Sequence, residues 1–299
     1  MAVKLAAVGK EAVLAHEAAL HGRLQHGNVV QLRALLVSAA GDAVTGLAMD
    51  LCRGGTLAAS LSAARDRGAA PLPLRSRLHL LDQLLAALEH VHSRGVCHLD
   101  IKPCNVMLDD GAGAVPRLRL ADFGLAQCCD GAAMPGRYRG TLPYMAPEFA
   151  RNVRSAAQPA MDVWSVGVLM RGLVSPSPPC ASWESSAIKA ALRAGTLYAD
   201  APPCEPAWSA LMRRCLHYAP EARPTVGEAR ATVRRLLLAP LASPPAAPPP
   251  LMHVPGKAAL PEEAVPQGAE MRKGGSALPP PPAALRSLHL PESLGLTSF

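Results

Sequence analysis

Proline divides the chain into two unequal parts. Of its 30 prolines, 14 lie between residues 240 and 299, in stretches such as PLASPPAAPPP and ALPPPPAALRS. Proline has no backbone N–H and blocks helix interiors, and the few apolar residues here cannot offset the entropy of ordering such a segment. We therefore predict that residues 239–299 are a disordered Pro/Ala-rich tail with polyproline II character, and that residues 1–238 carry the fold.

The tail admits two functional interpretations. Extended proline-rich segments are ligands for adaptor domains of the SH3 and WW type, so the tail is a candidate binding partner for such a domain. Alternatively, it is a low-complexity extension of an Ala- and Pro-rich chain with no partner of its own. We favour the second interpretation.

Charge and composition exclude several classes of protein. The formal net charge is +7, but no run of five or six basic residues occurs, so we do not expect nucleic-acid binding. No apolar stretch of about 18 residues is present, so we expect no membrane span. Eight cysteines without a CxxC pair and a start, MAVKLAAVGK, without a leader pattern predict a reduced, intracellular, cytoplasmic protein.

Hydrophobic periodicity predicts a few strands followed by many helices. A strand at 2–5 precedes a helical pattern in EAVLAHEAALHGRLQ, and strand-like stretches follow in VVQLRALLV and TGLAMDL. The clearest amphipathic helix is LRSRLHLLDQLLAALEHVHSRG, and further helical segments lie near 160–174, 184–194, 206–217 and 225–238. This order indicates an α+β fold with a small β-rich lobe followed by a larger helical lobe.

The segment HLDIKPCNVM at 98–107 combines three side chains suited to phosphoryl transfer. Asp100 can accept the proton of an attacking hydroxyl, Lys102 can neutralise charge on the moving phosphoryl group, and Asn105 can hold Mg²⁺. Such a trio alone is weak evidence. The other parts of the same machinery occur in order, however: AVK at 2–4 upstream, and ADFGL at 121–125 and MAPE at 145–148 downstream.

Together these motifs resemble the eukaryotic protein kinase catalytic domain. The resemblance implies a two-lobed kinase-like fold, with residues 1–52 forming a partial N-lobe and hinge and residues 53–238 forming the C-lobe. It assigns Lys4 to the α- and β-phosphates of ATP and Glu17 to the ion pair that positions this lysine. Glu17 is chosen because it lies nine residues before His26 in LQHGNVV, which resembles the stretch after the family's αC helix.

The remaining site residues follow from the same resemblance. Met49 corresponds to the gatekeeper, and Asp50, Leu51 and Cys52 correspond to the adenine-binding hinge. Asp100 is implied as the catalytic base, Lys102 as the phosphate partner, and Asn105 and Asp122 as the Mg²⁺ ligands. Two further implied roles are structural: Asp162 braces the catalytic loop, and Glu148 pairs with Arg223.

The resemblance also implies a substrate class. Lys102 in DIKPCN and Thr141 in GTLPYMAPE are typical of the serine/threonine members of the family, with Thr141 placed to hydrogen-bond Asp100. We therefore expect transfer of the ATP γ-phosphoryl group to protein Ser and Thr hydroxyls. HLD and NVVQL are also similar to the Mos and tyrosine-kinase-like groups.

One part of the family pattern is missing. The glycine-rich loop that covers the ATP phosphates should precede the strand lysine, and only three residues precede Lys4. Two interpretations stay open: a working kinase whose N-lobe is truncated in this sequence, or a degraded kinase that serves as a noncatalytic scaffold. Retention of Lys4, Glu17, Asp100 and Asp122 in one chain favours descent from an active enzyme.

Overall fold

The structure is a computed structural model that describes residues 1–109, 115–129, 140–151, 156–175, 177–239 and 296–298. Residues 1–239 belong to one compact unit. The predicted disordered tail at 239–299 lies outside the described residues except for Ala239 and the short segment 296–298.

The N-terminal portion is an antiparallel sheet covered by one helix. Its strands are β1 (Ala2–Leu5), β2 (Leu32–Val37) and β3 (Val44–Met49), in the order β1-β3-β2, and the helix is α1 (Glu11–His21). Leu14 and Ala18 of the helix pack with Leu47 of β3 in a small core of their own. Period-two alternation in β1 turns Lys4 toward the helix side and leaves Val3 and Leu5 exposed.

The rest of the described chain is mainly helical. Its helices are α2 (Leu57–Asp66), α3 (Leu74–Ser93), α4 (Pro147–Arg151), α5 (Pro159–Gly172), α6 (Ser185–Ala194), α7 (Pro206–Cys215) and α8 (Val226–Leu238). Helix α5 is buried on nearly every side, whereas α3 buries one leucine-rich face and contacts α8. The fully buried Trp164 and Trp208 belong to the large core that joins these helices.

Two small antiparallel ribbons hold the two loops in which the sequence predicts most of the site residues. Strand β4 (Val96–Cys97) pairs with β7 (Gln127–Cys128), and β5 (Val106–Asp109) pairs with β6 (Arg117–Leu120). The loop at 98–105 runs from β4 to β5, and the loop at 121–126 runs from β6 to β7. Both loops therefore leave the same pair of ribbons and lie side by side.

A last strand comes from the predicted tail. Strand β8 (Leu296–Ser298) pairs antiparallel with β2, with Ser298 opposite Ala34. These three residues of the predicted tail extend the sheet along the edge of β2.

The predicted α+β architecture, with a small sheet-rich portion before a helical one, is confirmed. The exact division at residues 52 and 53 stays a prediction. None of the helices in the described residues has the length and apolar character needed to cross a membrane.

Candidate active site

Asp162, in the first turn of α5, fixes the backbone of the loop that begins at His98. Its carboxylate accepts the backbone N–H of His98 at 2.8 Å and that of Leu99 at 2.7 Å, and His92 lies 2.8 Å from Oδ2. Asp162 is 0% exposed, and although burial by itself would raise its pKa, the hydrogen bond from His92 and the neighbouring positive charge hold the pKa below the ordinary value. A charged brace thus sits beneath the loop. It holds Leu99 at a φ of 65°, which a non-glycine residue adopts only when its surroundings enforce it.

The side chain of His98 contacts the backbone of its own loop and that of the neighbouring loop. Its Nδ1 accepts the backbone N–H of Asp100 at 3.2 Å, so Nε2 carries the proton and donates to the carbonyl of Ala121 at 3.0 Å. The ring contacts the fully buried ring of Phe123, with centroids 4.9 Å apart. His98 therefore ties the loop at 98–105 to the loop at 121–126.

Asp100 is the centre of a polar cluster. Lys102 Nζ donates to Asp100 Oδ2 at 2.7 Å, and Asn105 Nδ2 donates to the same oxygen at 2.9 Å. Thr141 donates to Oδ1 through its hydroxyl at 3.0 Å and through its backbone N–H at 3.2 Å, and Lys102 also reaches Thr141 Oγ1 at 2.8 Å. Both carboxylate oxygens are thus oriented by donors from two segments that are about 40 residues apart in sequence.

Gly140 makes the approach of the second segment possible. Its φ is +110°, and a Cβ at this position would lie 3.1 Å from the backbone oxygen of Leu99. Only glycine tolerates both conditions without strain, so the segment that carries Thr141 can pass directly over the loop.

A second charged cluster surrounds Lys4. Lys4 Nζ lies 2.8 and 2.7 Å from the two carboxylate oxygens of Glu17 on α1, and 2.7 Å from Asp122 Oδ1. Partial burial would lower the pKa of Lys4, but the hydrogen bonds to Asp122 and Glu17 raise it above its ordinary value. Burial raises the pKa of Glu17 despite its contact with Lys4. Burial would also raise the pKa of Asp122, but the hydrogen bond and the charge of Lys4 outweigh it, so the pKa of Asp122 is lowered.

The sequence of the chain that forms these two clusters matches a known protein family. A family profile described as "Protein kinase domain" matches residues 1–233 of the chain. The chain belongs to the protein kinase domain family. The predicted resemblance to the eukaryotic protein kinase catalytic domain is thereby confirmed.

Several curated kinases are similar to this chain over part of their length. CBL-interacting protein kinase 29 of Oryza sativa subsp. japonica is 35% identical over 208 residues, which are 69% of this chain and 42% of that protein. Serine/threonine-protein kinase PkaA of Streptomyces coelicolor is 33% identical over 206 residues, 68% of this chain and 36% of that protein. Serine/threonine-protein kinase ULK3 of Rattus norvegicus is 35% identical over 147 residues, 49% of this chain and 29% of that protein. This kinase-family chain therefore spans less than half the length of each of these relatives.

Asn105 and Asp122 offer oxygen atoms of the kind that Mg²⁺ prefers. Both amide hydrogens of Asn105 are directed at Asp100 (2.8 Å to its backbone oxygen and 2.9 Å to Oδ2), which leaves the amide oxygen as an acceptor. Asp122 is held at a φ of 64° with a lowered pKa, so its carboxylate is charged. An amide oxygen and a carboxylate fit a hard divalent cation. Within the described ranges, no group of three or more His, Cys, Asp or Glu side chains is placed to bind a metal ion by itself.

The predicted hinge residues follow β3 directly. Met49 ends β3, Leu51 is 52% exposed, and Cys52 is buried, with a pKa raised by burial. The backbone N–H of Asp50 donates to the carbonyl of Gln31 at 3.0 Å, which anchors this segment to the sheet.

The side chain of Asp50 is held by two arginines that sequence reasoning missed. Arg33 of β2 contacts its two carboxylate oxygens at 2.6 and 3.0 Å, and Arg119 of β6 contacts Oδ2 at 2.8 Å. The hydrogen bond from Arg33, aided by Arg119, lowers the pKa of Asp50. The Asp50 carboxylate thus links the sheet to the β5–β6 ribbon. No sequence spacing reveals this arrangement, because it depends on which strands pair.

The second implied structural pair is also formed. Arg223 donates to both carboxylate oxygens of Glu148, at 2.8 and 2.7 Å, and to the carbonyl of Ala160 at 2.7 Å. Its guanidinium lies 5.2 Å from the ring centroid of Trp164. This pair fastens the start of α4 to the helical core and so supports the segment that carries Thr141.

Proposed function

We propose that this chain is a protein serine/threonine kinase that transfers the γ-phosphoryl group of ATP to Ser and Thr hydroxyls of proteins. The observation that carries the proposal is the Asp100 cluster, in which Lys102, Asn105 and Thr141 orient one carboxylate from three directions. An oriented carboxylate beside a lysine suits the deprotonation of a hydroxyl that attacks a phosphoryl group.

In this proposal each residue of the Asp100 cluster has a distinct task. Asp100 accepts the proton of the substrate hydroxyl as the oxygen attacks, and Asn105 and Thr141 keep its carboxylate in position. Lys102, already 2.7 Å from Asp100, places a positive charge where the transferred group becomes more negative. Preorganised charges of this kind act without reorganising at the moment of reaction.

Lys4 and its partners form the nucleotide side of the proposed site. Lys4 holds the α- and β-phosphates, Glu17 positions Lys4, and the segment from Met49 to Cys52 borders the adenine. Asn105 and Asp122 would hold Mg²⁺, which neutralises phosphate charge when bound.

The choice of Ser and Thr as acceptors is supported by Lys102 and Thr141. Their direct contact at 2.8 Å brings the loop at 98–105 and the segment after Gly140 close together at Asp100. A short aliphatic hydroxyl has to reach Asp100 at this junction. The names of the similar proteins, which include serine/threonine-protein kinases, agree with this choice.

Location and partners are part of the proposal. All eight cysteines are thiols, which suits a cytoplasmic protein. Protein substrates follow from the family. An SH3- or WW-type partner for the Pro-rich tail stays a prediction, since that segment lies outside the described residues.

Thermal shift with Mg-ATP tests the nucleotide side. We expect the melting temperature of the 299-residue chain to rise in Mg-ATP, because a ligand at about 100 times its Kd stabilises the folded state by about 2.7 kcal/mol. Asp122→Asn should lose this rise, and Asp200→Asn, at a distant and exposed position, should keep it. A folded chain without any shift would contradict the proposal and support a scaffold role.

Phosphoryl transfer tests the Asp100 cluster separately. With peptides that differ only in a Ser, Thr or Tyr acceptor, we expect transfer to Ser and Thr. Asp100→Asn should abolish transfer while keeping the Mg-ATP thermal shift. Transfer that survives in Asp100→Asn, or that prefers Tyr, would overturn the assignment.

A further inference from the structure

Two thiols from different strands meet next to the candidate catalytic loop. The sulfur of Cys97 lies 2.9 Å from the sulfur of Cys129. Cys97 ends β4, one residue before His98, and Cys129 directly follows β7. Neither residue has a task in the proposed phosphoryl transfer.

The β4–β7 ribbon brings the two cysteines together diagonally, since Cys129 lies two positions beyond the register partner of Cys97. Val96 pairs with Cys128 and Cys97 pairs with Gln127 across the β4–β7 ribbon, and the backbone N–H of Cys129 donates to the carbonyl of Gly95 at 2.8 Å. The strands therefore fix where the two Cβ atoms lie. A disulfide needs a sulfur–sulfur distance of about 2.05 Å, so bond formation shortens the present separation by less than about 1 Å.

The two sulfurs differ in their access to solvent. Cys97 is 0% exposed, and burial, aided by the charge of Asp162, raises the pKa of its thiol. Cys129 is only partly buried. An oxidant from solvent therefore reaches Cys129 first, and Cys97 is the sulfur closest at hand to react with the product.

We propose that Cys97 and Cys129 are an oxidative modification site that hydrogen peroxide converts to an intramolecular disulfide. The Cys129 sulfur attacks peroxide, the O–O bond breaks, and Cys129 sulfenic acid and one water form. The Cys97 sulfur then attacks the sulfenic sulfur, the S–O bond breaks, and a second water leaves with the Cys97 proton. Two thiols are oxidised and one peroxide is reduced, giving one disulfide and two waters.

The crosslink joins two segments that the structure keeps adjacent. It ties the strand three residues before Asp100 to the chain seven residues after Asp122. The oxidised chain therefore has the segments that flank the two loops linked by a covalent bond, and a thiol reductant restores the present state.

Peptide mapping of the full chain tests the proposal. The reduced chain is treated with a few equivalents of hydrogen peroxide, remaining thiols are alkylated, and trypsin digestion is run without reductant. Cys97 and Cys104 share the peptide 95–117, and Cys128 and Cys129 share the peptide 120–137, so variants assign the bond. We expect these peptides to be linked, with a mass two hydrogens below the sum of the two peptides that each carry one alkylated cysteine, and dithiothreitol to separate them.

Single substitutions decide which sulfurs are joined. Cys129→Ser should abolish the linked pair, whereas Cys128→Ser and Cys104→Ser should retain it. Cys129→Ser is the main variant because its position is partly exposed, whereas Cys97→Ser places a hydroxyl in the core. A linked pair that disappears in Cys128→Ser or Cys104→Ser, or peroxide treatment that yields no linked pair, would overturn the proposal.

Discussion

A single buried carboxylate, Asp162, holds the backbone at the start of the loop at 98–105. It accepts two consecutive backbone N–H groups and contacts His92 while being fully buried. Because Asp162 is fully buried, its removal takes the protein partner away from three donors at once.

We predict that Asp162→Ala lowers the free energy of unfolding by about 3 kcal/mol or more, because breaking a buried pair leaves its partners desolvated. Urea denaturation followed by circular dichroism measures the change. Asp200→Ala is the matched control, since Asp200 forms an ion pair with Arg171 at an exposed position and should cost less than about 1 kcal/mol. Equal losses in the two variants would contradict the assigned role of Asp162.

His21 makes stability depend on pH. Burial lowers the pKa of this histidine, whose Nε2 lies 2.6 Å from the carbonyl oxygen of Val30. In the unfolded state His21 has an ordinary pKa of about 6.5, so below this pH it binds a proton that it does not bind in the folded state. Stability is therefore expected to fall as the pH drops through about 6.5. His26 and His90, whose pKa values burial also lowers, act in the same direction.

The expected result is a smaller pH dependence in His21→Leu. Unfolding free energies at pH 7.5 and pH 5.5 give the dependence for each chain, and the variant should lose less stability on acidification even though its stability at pH 7.5 is lower. An unchanged difference between the two pH values would mean that His21 contributes nothing to it.

At the scale of elements, the Asp50 side chain connects strands that lie far apart in sequence. Arg33 comes from β2 and Arg119 from β6, and both contact the residue that follows β3. The position of the segment from Asp50 to Cys52 therefore depends on the β5–β6 ribbon as well as on the N-terminal sheet.

We predict that Arg119→Met raises the KM for ATP about fivefold while leaving the KM for the peptide substrate unchanged. One lost hydrogen bond of about 1 kcal/mol gives a change of this size. Steady-state kinetics at varied ATP and varied peptide measure the two constants. Arg234→Met is the control, because Arg234 pairs with Asp82 in the helical portion. A parallel rise in both constants for Arg119→Met would point to general destabilisation.

Long helices were predictable from the sequence, and strands of two residues were not. The helices α5 to α8 fall on the predicted segments within a few residues, because apolar spacing and proline or glycine boundaries are local signals. Strands β4 and β7 have only two residues each, too few for any pattern. The meeting of Cys97 with Cys129 was missed for the same reason, since it follows from the register of that ribbon.

The candidate site was predictable where its residues belong to ordered motifs. Asp100, Lys102 and Asn105 share one short loop, so their proximity follows from the sequence. Lys4, Glu17 and Asp122 were grouped only through the family resemblance, and their contacts are a property of the fold. Arg33 and Arg119 belong to no motif, and nothing in their sequence neighbours distinguishes them from surface charges.

At the scale of the whole molecule, β1 is an edge strand of the sheet that exposes apolar side chains. Val3 is 55% exposed and Leu5 is 63% exposed, and β1 is the terminal strand in the sheet order. Edge strands with exposed apolar side chains promote pairing between chains.

We predict that Leu5→Lys reduces concentration-dependent association of the chain without lowering its melting temperature, because the substituted side chain lies in solvent. Sedimentation velocity at several protein concentrations measures association. Ser60→Lys, at an exposed position on α2, is the control for added charge and should leave association unchanged. If both variants reduce association alike, net charge and not the β1 edge is responsible.

The double contact of Lys4 has a consequence for how the proposed site takes up its ligand. Glu17 and Asp122 share one ammonium group, so the three charged groups together carry a single net negative charge. If Mg-ATP binds as proposed, Asp122 would exchange the Lys4 ammonium for the metal, and Lys4 would exchange a carboxylate for phosphate. Binding would then replace existing ion pairs with new ones, and the number of close charge pairs would change little. Affinity should therefore respond to ionic strength less steeply than the count of charged groups suggests.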